Sequence, residues 1–345
     1  MAKSTLVNKK VEPFSLVAMP EPPISLLMPV DAAPRPDEAL MARAAWAYYV
    51  EGLTQNDIAR KLGLNRIRVN RILAQALERG VVQVRVNSSL AIATEAALAK
   101  RYGLDQAIIV PTPSDASLLP HSIATAAGVV LSDRLQDGMS VGVGWGRTLR
   151  LSVRAMERRQ IHDLSVVSLL GGLTRGSVMN TYETASRLAD IYAAGCFYIA
   201  APAYADSEAT ARVLRAQSSV QDAFERARKI DIAFLSVGSL TEDSTMRRLG
   251  LLGEAEAASL RAAGAVGDFC AHLIDVEGKI VDHPINRRVL ALAVNDLRDV
   301  PTVILASGGQ DKLKVLHAAL SLQTVTILVT DETTANQLLA NDLGH

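Results

Sequence analysis

Three stretches of this 345-residue chain carry glycine, hydroxyl and cationic side chains at a spacing that suits anion binding. In the first, Gly144-Trp145-Gly146-Arg147-Thr148, glycines open a helix and set a guanidinium and a hydroxyl beside its free N–H groups. Backbone donors, the positive end of a helix dipole and a cation then converge, which is the chemistry of a phosphate cradle. The second stretch is Gly171-Gly172, and the third runs from Ser307 through Gly308 and Gly309 to Lys312. A lysine in the first turn of a helix opposes the dipole unless an anion sits nearby, so Lys312 is expected to meet a phosphate. Between them lies Gly264-Ala265-Val266-Gly267-Asp268, whose carboxylate suits sugar hydroxyls as well as a turn. Arg247 and Arg248 offer either a second anionic contact or a solvated pair.

The elements that must position these loops are apolar strand candidates at 106–111, 140–145, 164–170, 196–201, 230–237, 302–306 and 325–329. Helical patterns at 122–135, 182–193, 207–216, 220–227 and 312–319 separate most of them. Buried strands alternating with helices predict a doubly wound, Rossmann-like α/β domain with a mostly parallel sheet, whose ligands bind at the carboxyl ends of strands. An amphipathic stretch over 90–101 is expected to bridge this body to what precedes it.

A second chemistry belongs to residues 41–88, where eight basic side chains face three acidic ones, a net +5. Residues 1–40 carry −1 and the remainder −4, so the zero balance of the whole chain conceals a basic module on an acidic body. Ala44, Ala45, Tyr48, Tyr49 and Leu53 predict the apolar stripe of a first helix closed by Gly52. Thr54 and Asp57 form a capping box for a second helix that starts at Gln55. Ile58, Ala59, Leu62, Gly63, Leu64, Val69 and Ile72 are the residue types of a helix-turn-helix, with glycine at the turn and aliphatic residues in the wedge. Asn65 caps the third helix, whose inner face is Val69, Ile72, Leu73 and Ala76. Arg66, Ile67, Arg68, Asn70 and Arg71 are left for DNA. Arginine reads guanine, asparagine reads adenine, isoleucine meets a thymine methyl, and spare arginines hold phosphate. The alternation over 81–86 adds a strand, making the module a winged helix-turn-helix.

Composition excludes other classes. Seven of the thirteen prolines fall within residues 1–36, which are expected to be a disordered tail and not a signal or membrane segment. Two cysteines, Cys196 and Cys270, are too far apart for a disulfide framework or a Cys-x-x-Cys metal site, so a reducing cytoplasm and no metal are expected. A dinucleotide fingerprint fails at Arg147, where its third glycine would stand. A sugar-phosphate isomerase or deaminase is the alternative function, yet none of the six histidines stands in a strand-end glycine loop to serve acid–base chemistry.

Five motifs in order give the chain a wider resemblance: Tyr49-x-Glu51-Gly52-Leu53-Thr54-Gln55-x-x-Ile58-Ala59-x-x-Leu62-Gly63, Gly142-x-Gly144-x-Gly146-x-Thr148-Leu149, Gly264-Ala265-Val266-Gly267-Asp268, Gly308-Gly309-x-x-Lys312, and Thr330-Asp331-Glu332-x-x-Ala335. Over nearly everything after residue 40 it resembles the SorC family of sugar-responsive bacterial transcriptional regulators. The resemblance implies a tetrameric regulator that binds operator DNA; a homo-oligomer, dimer or tetramer, is expected, with no enzymatic activity and no cofactor. Its effector domain would be similar to sugar-phosphate isomerases and deaminases, with a phosphorylated sugar or polyol as ligand. It also implies that Arg147, Thr148, Asp268 and Lys312 line the ligand site, joined by Arg247 or Arg248. The expected organisation is a tail (1–36), a DNA-binding domain (37–88), a linker helix (89–105) and an effector and oligomerisation domain (106–345). Asn65 stands where the family usually has serine at the start of the reading helix.

Overall fold

The computed structural model describes residues 36–78, 81–82, 91–173 and 181–341. The expected tail, and most of the strand expected over 81–86, lie outside the described residues; Val81 and Val82 themselves form a bend.

The basic module is three helices, α1 (Pro36–Tyr49), α2 (Gln55–Leu62) and α3 (Arg66–Glu78). The Thr54 side chain accepts from the Asp57 N–H at 3.2 Å, and the Asp57 carboxylate accepts from the Thr54 N–H at 3.3 Å, so the capping box forms as expected. Gly63 ends α2 in the left-handed conformation, φ 66°. The Asn65 side chain accepts from the Arg68 N–H at 2.8 Å and starts α3. Ile58, Ala59, Val69, Ile72, Leu73 and Ala76 fill the wedge. The stripe on α1 differs from expectation: Met41, Ala44, Ala45 and Ala47 are buried, whereas Tyr48 and Tyr49 are exposed. Small alanines let the helices approach closely, and that leaves no room inside for two rings.

The body is a seven-stranded, wholly parallel sheet in the order β1 (Gln106–Val110), β10 (Ile327–Asp331), β9 (Thr302–Ala306), β5 (Ile232–Leu235), β2 (Ser140–Val143), β3 (Ser165–Ser168) and β4 (Gly195–Phe197). Successive residues serve opposite faces: Ile232 and Phe234 of β5 join one core, Ala233 and Leu235 the other. The helices α5 (Leu119–Ser132), α6 (Arg147–Arg154) and α7 (Thr181–Tyr192) cover the first face. On the second lie α4 (Ile92–Tyr102), α9 (Ser218–Arg228), α13 (Leu313–Ser321) and α14 (Glu332–Ala340). Thus α4, expected as a bridge, is built into the body: Leu98 and Tyr102 are buried, and the Glu95 carboxylate accepts from the Ile109 N–H of β1 at 3.0 Å.

The strand expected over 230–237 is divided. At Ser236 the chain leaves the parallel sheet, and β6 (Val237–Ser239) pairs antiparallel with β7 (Gly267–Phe269), which pairs with β8 (His272–Ile274). A third core containing Trp145, Leu170, Leu240, Met246, Leu260 and Leu273 lies beside this small sheet. The helices α10 (Thr245–Arg248), α11 (Glu254–Ala262) and α12 (Pro284–Arg288) contribute Met246, Leu260 and Ile285 to it, whereas α8 (Glu208–Arg215) packs through Ala211 in a smaller cluster with Ala205 and Leu290.

The winding direction fixes where a ligand can enter. From β2 the chain moves outward through β3 to β4, then returns to β5 and moves the other way through β9 to β10. The reversal lies between β2 and β5, and an open α/β sheet binds its ligands outside the carboxyl ends at such a point.

Candidate functional site

Two loops flank the carboxyl end of β5 at that reversal. After β2, the Gly144 N–H donates to the Phe234 carbonyl of β5 at 2.9 Å, and a Cβ at Gly144 would lie 2.9 Å from the Leu235 side chain. Gly146, with φ 130°, turns the chain into α6 with no side-chain cap, so the helix starts with Arg147 and buried Thr148 beside uncapped N–H donors. After β9, Gly309 takes φ 102° and likewise has no side-chain cap. In the sheet β5 separates these two loops, and its Ser236 lies against Gly146.

A buried carboxylate fixes the second loop. Asp331, at the end of β10, accepts from Thr112 Oγ1 at 2.9 Å and from Thr334 Oγ1 at 2.6 Å. Thr334 Oγ1 in turn accepts from the Gly309 N–H at 2.9 Å. A Cβ at Gly308 would sit 2.3 Å from the Asp331 carboxylate, so only glycine fits. The neighbouring Asp311 is pinned to β6 by the Ser239 hydroxyl at 3.0 Å. Sequence reading treated Asp331 only as part of a motif and missed Thr112, Ser236, Ser239 and Thr334. An aspartate three residues before a threonine at a helix start was the available signal for one pair.

The charged groups that come together are Arg147, Arg248, Lys312 and Asp268. Burial lowers the Lys312 ammonium from the usual lysine range; Asp311 and Asp268 oppose that, while Arg147 and Arg248 reinforce it. Arg147 and Lys312 are half-buried while Arg248 is exposed at the rim, and an anion among them offsets the repulsion between guanidinium and ammonium. Asp268 lies on β7, not in a turn, and is 1% exposed. Burial raises its carboxyl to about 6, against the pull of the Trp145 indole N–H, the Ala271 N–H and Lys312. The Trp145 Nε1–H donates to it at 3.1 Å, and the indole packs beside Tyr204.

Other expected residues are placed differently. Arg247 is taken up by Glu254 at 2.5 Å, a carboxylate that Arg261 also holds at 2.9 Å, so Arg248 is the member of the pair that joins Lys312. The Gly171 and Gly172 N–H groups donate to the Leu290 and Ala201 carbonyls and are not available to a ligand. Their glycines answer close packing, since a Cβ would lie 2.4 Å from the Ala201 oxygen at Gly171 and 2.3 Å from the Tyr182 ring at Gly172. Among the described residues no group of three or more His, Cys, Asp or Glu could hold a metal ion, and no helix is long and apolar enough to cross a membrane.

On α3 the outward set is exposed as expected: Arg66, Ile67, Arg68, Asn70 and Arg71, with Ile67 82% exposed. Gln55 links the two helices, its amide lying 3.5 Å from Asn70 Oδ1 and 3.4 Å from Arg66 Nε. Asn65 Oδ1 is committed to the cap.

Known proteins match both halves. Residues 87–340 fit the family model Sugar-bind, described as "Putative sugar-binding domain", and residues 46–79 fit Sigma-70, region 4. The transcriptional regulator LsrR of Klebsiella pneumoniae is 32% identical over 310 residues, covering 88% of this chain and 94% of the relative. The deoxyribonucleoside regulator of Bacillus subtilis is 32% identical over 315 residues, covering 90% and 99%. The crystal structure of the full-length sorbitol operon regulator SorC from Klebsiella pneumoniae has the same fold, with a TM-score of 0.67 at 24% identity over 88% of this chain and 99% of that one. With a helix-turn-helix ahead of a parallel α/β sugar-binding domain, the chain belongs to the SorC family of sugar-responsive bacterial transcriptional regulators.

Proposed function

We propose that the strand-end site binds a phosphorylated sugar or polyol, and that this ligand sets the affinity of α3 for an operator controlling carbohydrate or polyol catabolism. The convergence of Arg147, Arg248 and Lys312 beside buried Asp268 carries the reading. The α6 N–H groups, the Thr148 hydroxyl and the three cations hold phosphoryl oxygens, and Asp268 accepts from a sugar hydroxyl. Trp145 orients Asp268 and walls the site, while Gly144 and Gly146 let the backbone come close. Arg247 supports Arg248 from the next position. In the DNA-binding domain Arg66, Ile67, Arg68, Asn70 and Arg71 read bases or hold phosphate, with Gln55 and Asn65 positioning the helix.

Subunits pair through the body in a cytoplasmic homo-oligomer, and the ligand favours one arrangement of the pair over another. Such coupling of ~1–3 kcal/mol shifts DNA affinity about 5- to 150-fold. The chain acts as a regulator and not as an enzyme, a reading supported by relatives along most of its length that are named transcriptional regulators.

Fluorescence anisotropy on duplex from upstream of its own operon tests this, with matched pairs of sugars and sugar phosphates. Binding weakens steeply as salt rises, and only phosphorylated members shift it. An equal response to free sugars rejects the phosphate assignment, and no response to any pair rejects ligand control.

A further inference from the structure

The helix α4 is tied to both helices that start at the cationic loop. Directly after Lys312 comes α13, and directly after Asp331 comes α14, whose Thr334 accepts from the Gly309 N–H. Tyr102, at the end of α4, hydrogen-bonds through its hydroxyl to Nδ1 of His317 on α13 at 2.9 Å. Beside it, the Arg101 guanidinium donates to the Leu339 carbonyl of α14 at 2.7 Å and to Asn341 Oδ1 at 3.0 Å. Leu98 and Tyr102 share one core with Leu313, Leu316, Ala335 and Leu338, so packing backs these hydrogen bonds.

Those tethers hold one end of α4, and the DNA-binding domain is attached at the other, where residues 79–91 join it to α3. An 11-residue helix is about 16 Å long and moves as a rod. Toward its amino end Glu95 accepts from the Ile109 N–H of β1, the edge strand of the sheet. A rod pivoting at Glu95 and driven at Arg101 and Tyr102 turns a small displacement of α13 or α14 into a reorientation of the chain leading to α3. A ligand has a handle on that displacement. Neither Gly309 nor Lys312 receives a side-chain cap, so an anion at the loop completes the start of α13.

We propose that α4 carries the state of the cationic loop to the DNA-binding domain, with Tyr102 and Arg101 as the positioning residues that couple it to α13 and α14. The inference rests on the proposed function and adds the route, within one subunit, from a phosphoryl group at Gly309 and Lys312 to α3. Both residues act away from the ligand: Arg101 holds the carboxyl end of α14, whereas the loop is held at its amino end. Coupling is a free energy between two sites, so it is measured as a response at one site to occupancy of the other.

Charge state sets how much each contact carries. Burial raises the Tyr102 phenol, and burial together with Arg101 lowers the His317 imidazole, so that bond joins two neutral groups. Losing one neutral hydrogen bond weakens the coupling roughly 2- to 10-fold. Losing the two bonds from charged Arg101 as well removes most of a response of about 5- to 150-fold.

Hydrogen exchange on the full chain tests the route without DNA, with inorganic phosphate as the probe against chloride at matched ionic strength. In the wild type, phosphate slows exchange at residues 309–313 and along α4, and leaves α9, on the same face of the sheet, unchanged. In the double variant Arg101→Met, Tyr102→Phe the loop keeps its protection and the response of α4 is lost. No protection at the loop rejects the anion site and the proposal with it. Loop protection without a response of α4 in the wild type, or an equal response of α4 in the variant, overturns the proposal and leaves the site standing. A second readout is anisotropy on operator duplex with the sugar phosphate that shifts wild-type binding. Tyr102→Phe cuts the ligand-induced change in affinity roughly 2- to 10-fold and keeps wild-type affinity for the ligand and, without ligand, for DNA. An undiminished change, or an equal loss of unliganded DNA binding, overturns the proposal, the latter because α4 is then only a support.

Discussion

Replacing Lys312 by methionine keeps an apolar stem of similar length and removes the charge. In the chain alone the Lys312 ammonium makes no hydrogen bond or ion pair among the described residues; burial opposes its charge, and the attraction of Asp311 and Asp268 is partly cancelled by Arg147 and Arg248, so its loss costs little stability. A charge-assisted hydrogen bond contributes ~1.5–3 kcal/mol, so the variant binds a sugar phosphate roughly 10- to 150-fold more weakly. At a ligand concentration near 100 times Kd the wild type gains about 2.7 kcal/mol of stability. With Kd raised about 50-fold, the same concentration gives the variant about 0.65 kcal/mol. The difference of ~2 kcal/mol is a thermal shift smaller by roughly 4–8 °C. Scanning calorimetry on both proteins, using the sugar phosphate that most raises the wild-type midpoint, measures it. There is also a signature in pH. The folded-state ammonium is lowered, so the unfolded chain binds that proton more tightly, and wild-type stability rises as pH climbs toward the usual lysine range. Lys312→Met lacks that rise. An undiminished ligand shift in the variant refutes the anion role, and a variant that melts far below wild type without ligand means Lys312 supports the fold.

Other outcomes follow from the same geometry. Arg68→Ala and Arg71→Ala each cost ~1–3 kcal/mol in operator binding where a base contact is lost, read by anisotropy against cognate and scrambled duplex; no loss at either position means the wrong face of α3 was assigned. Asp268→Asn keeps an acceptor for Trp145 and removes the buried charge. The carboxyl is raised from 3.8 to about 6, so the native state holds the proton more tightly and wild-type stability falls as pH rises through that window. The variant escapes this fall, on the order of 3 kcal/mol by linkage, visible as a stability difference that grows from pH 4 to 6 and is flat above. Gly171→Ala drives a Cβ to 2.4 Å from the Ala201 carbonyl, backbone against backbone, and lowers the thermal midpoint by ~1–3 kcal/mol of stability; a wild-type midpoint rejects the packing account.

The sequence was most legible where one local rule decides the structure. Thr54 with Asp57, Gly63 and Asn65 each act within a few residues, and all three form as read. Glycine-led strand ends were legible for the same reason, since Gly146 and Gly309 mark turns that other residues rarely adopt. What sequence alone missed is set by partners distant in the chain. Whether Tyr49 faces in or out depends on how closely alanines bring α1 to α3, and whether Arg247 or Arg248 joins Lys312 depends on Glu254 of another helix. The division at Ser236 was hidden because Ser236 and Val237 continue the buried run of β5 without a turn residue; only pairing with β7 distinguishes the two strands. Gly171 and Gly172 look like Gly308 and Gly309 in sequence, yet one pair admits neighbouring backbone and the other frames the cationic loop.

The separation of sheet from strand-end loops has a consequence for how such a regulator can be retargeted. The alternating residues of β5, β9 and β10 are committed to the two cores, while Arg147 is the first residue of α6, Arg248 the last of α10, and Lys312 directly precedes α13; none of the three belongs to a core cluster. On the proposed reading, fold and taste are therefore encoded by different letters of the same chain. Randomising positions 147, 247, 248 and 312 samples new effectors with little tax on stability, so one reading head can be wired to a different metabolite by a handful of substitutions.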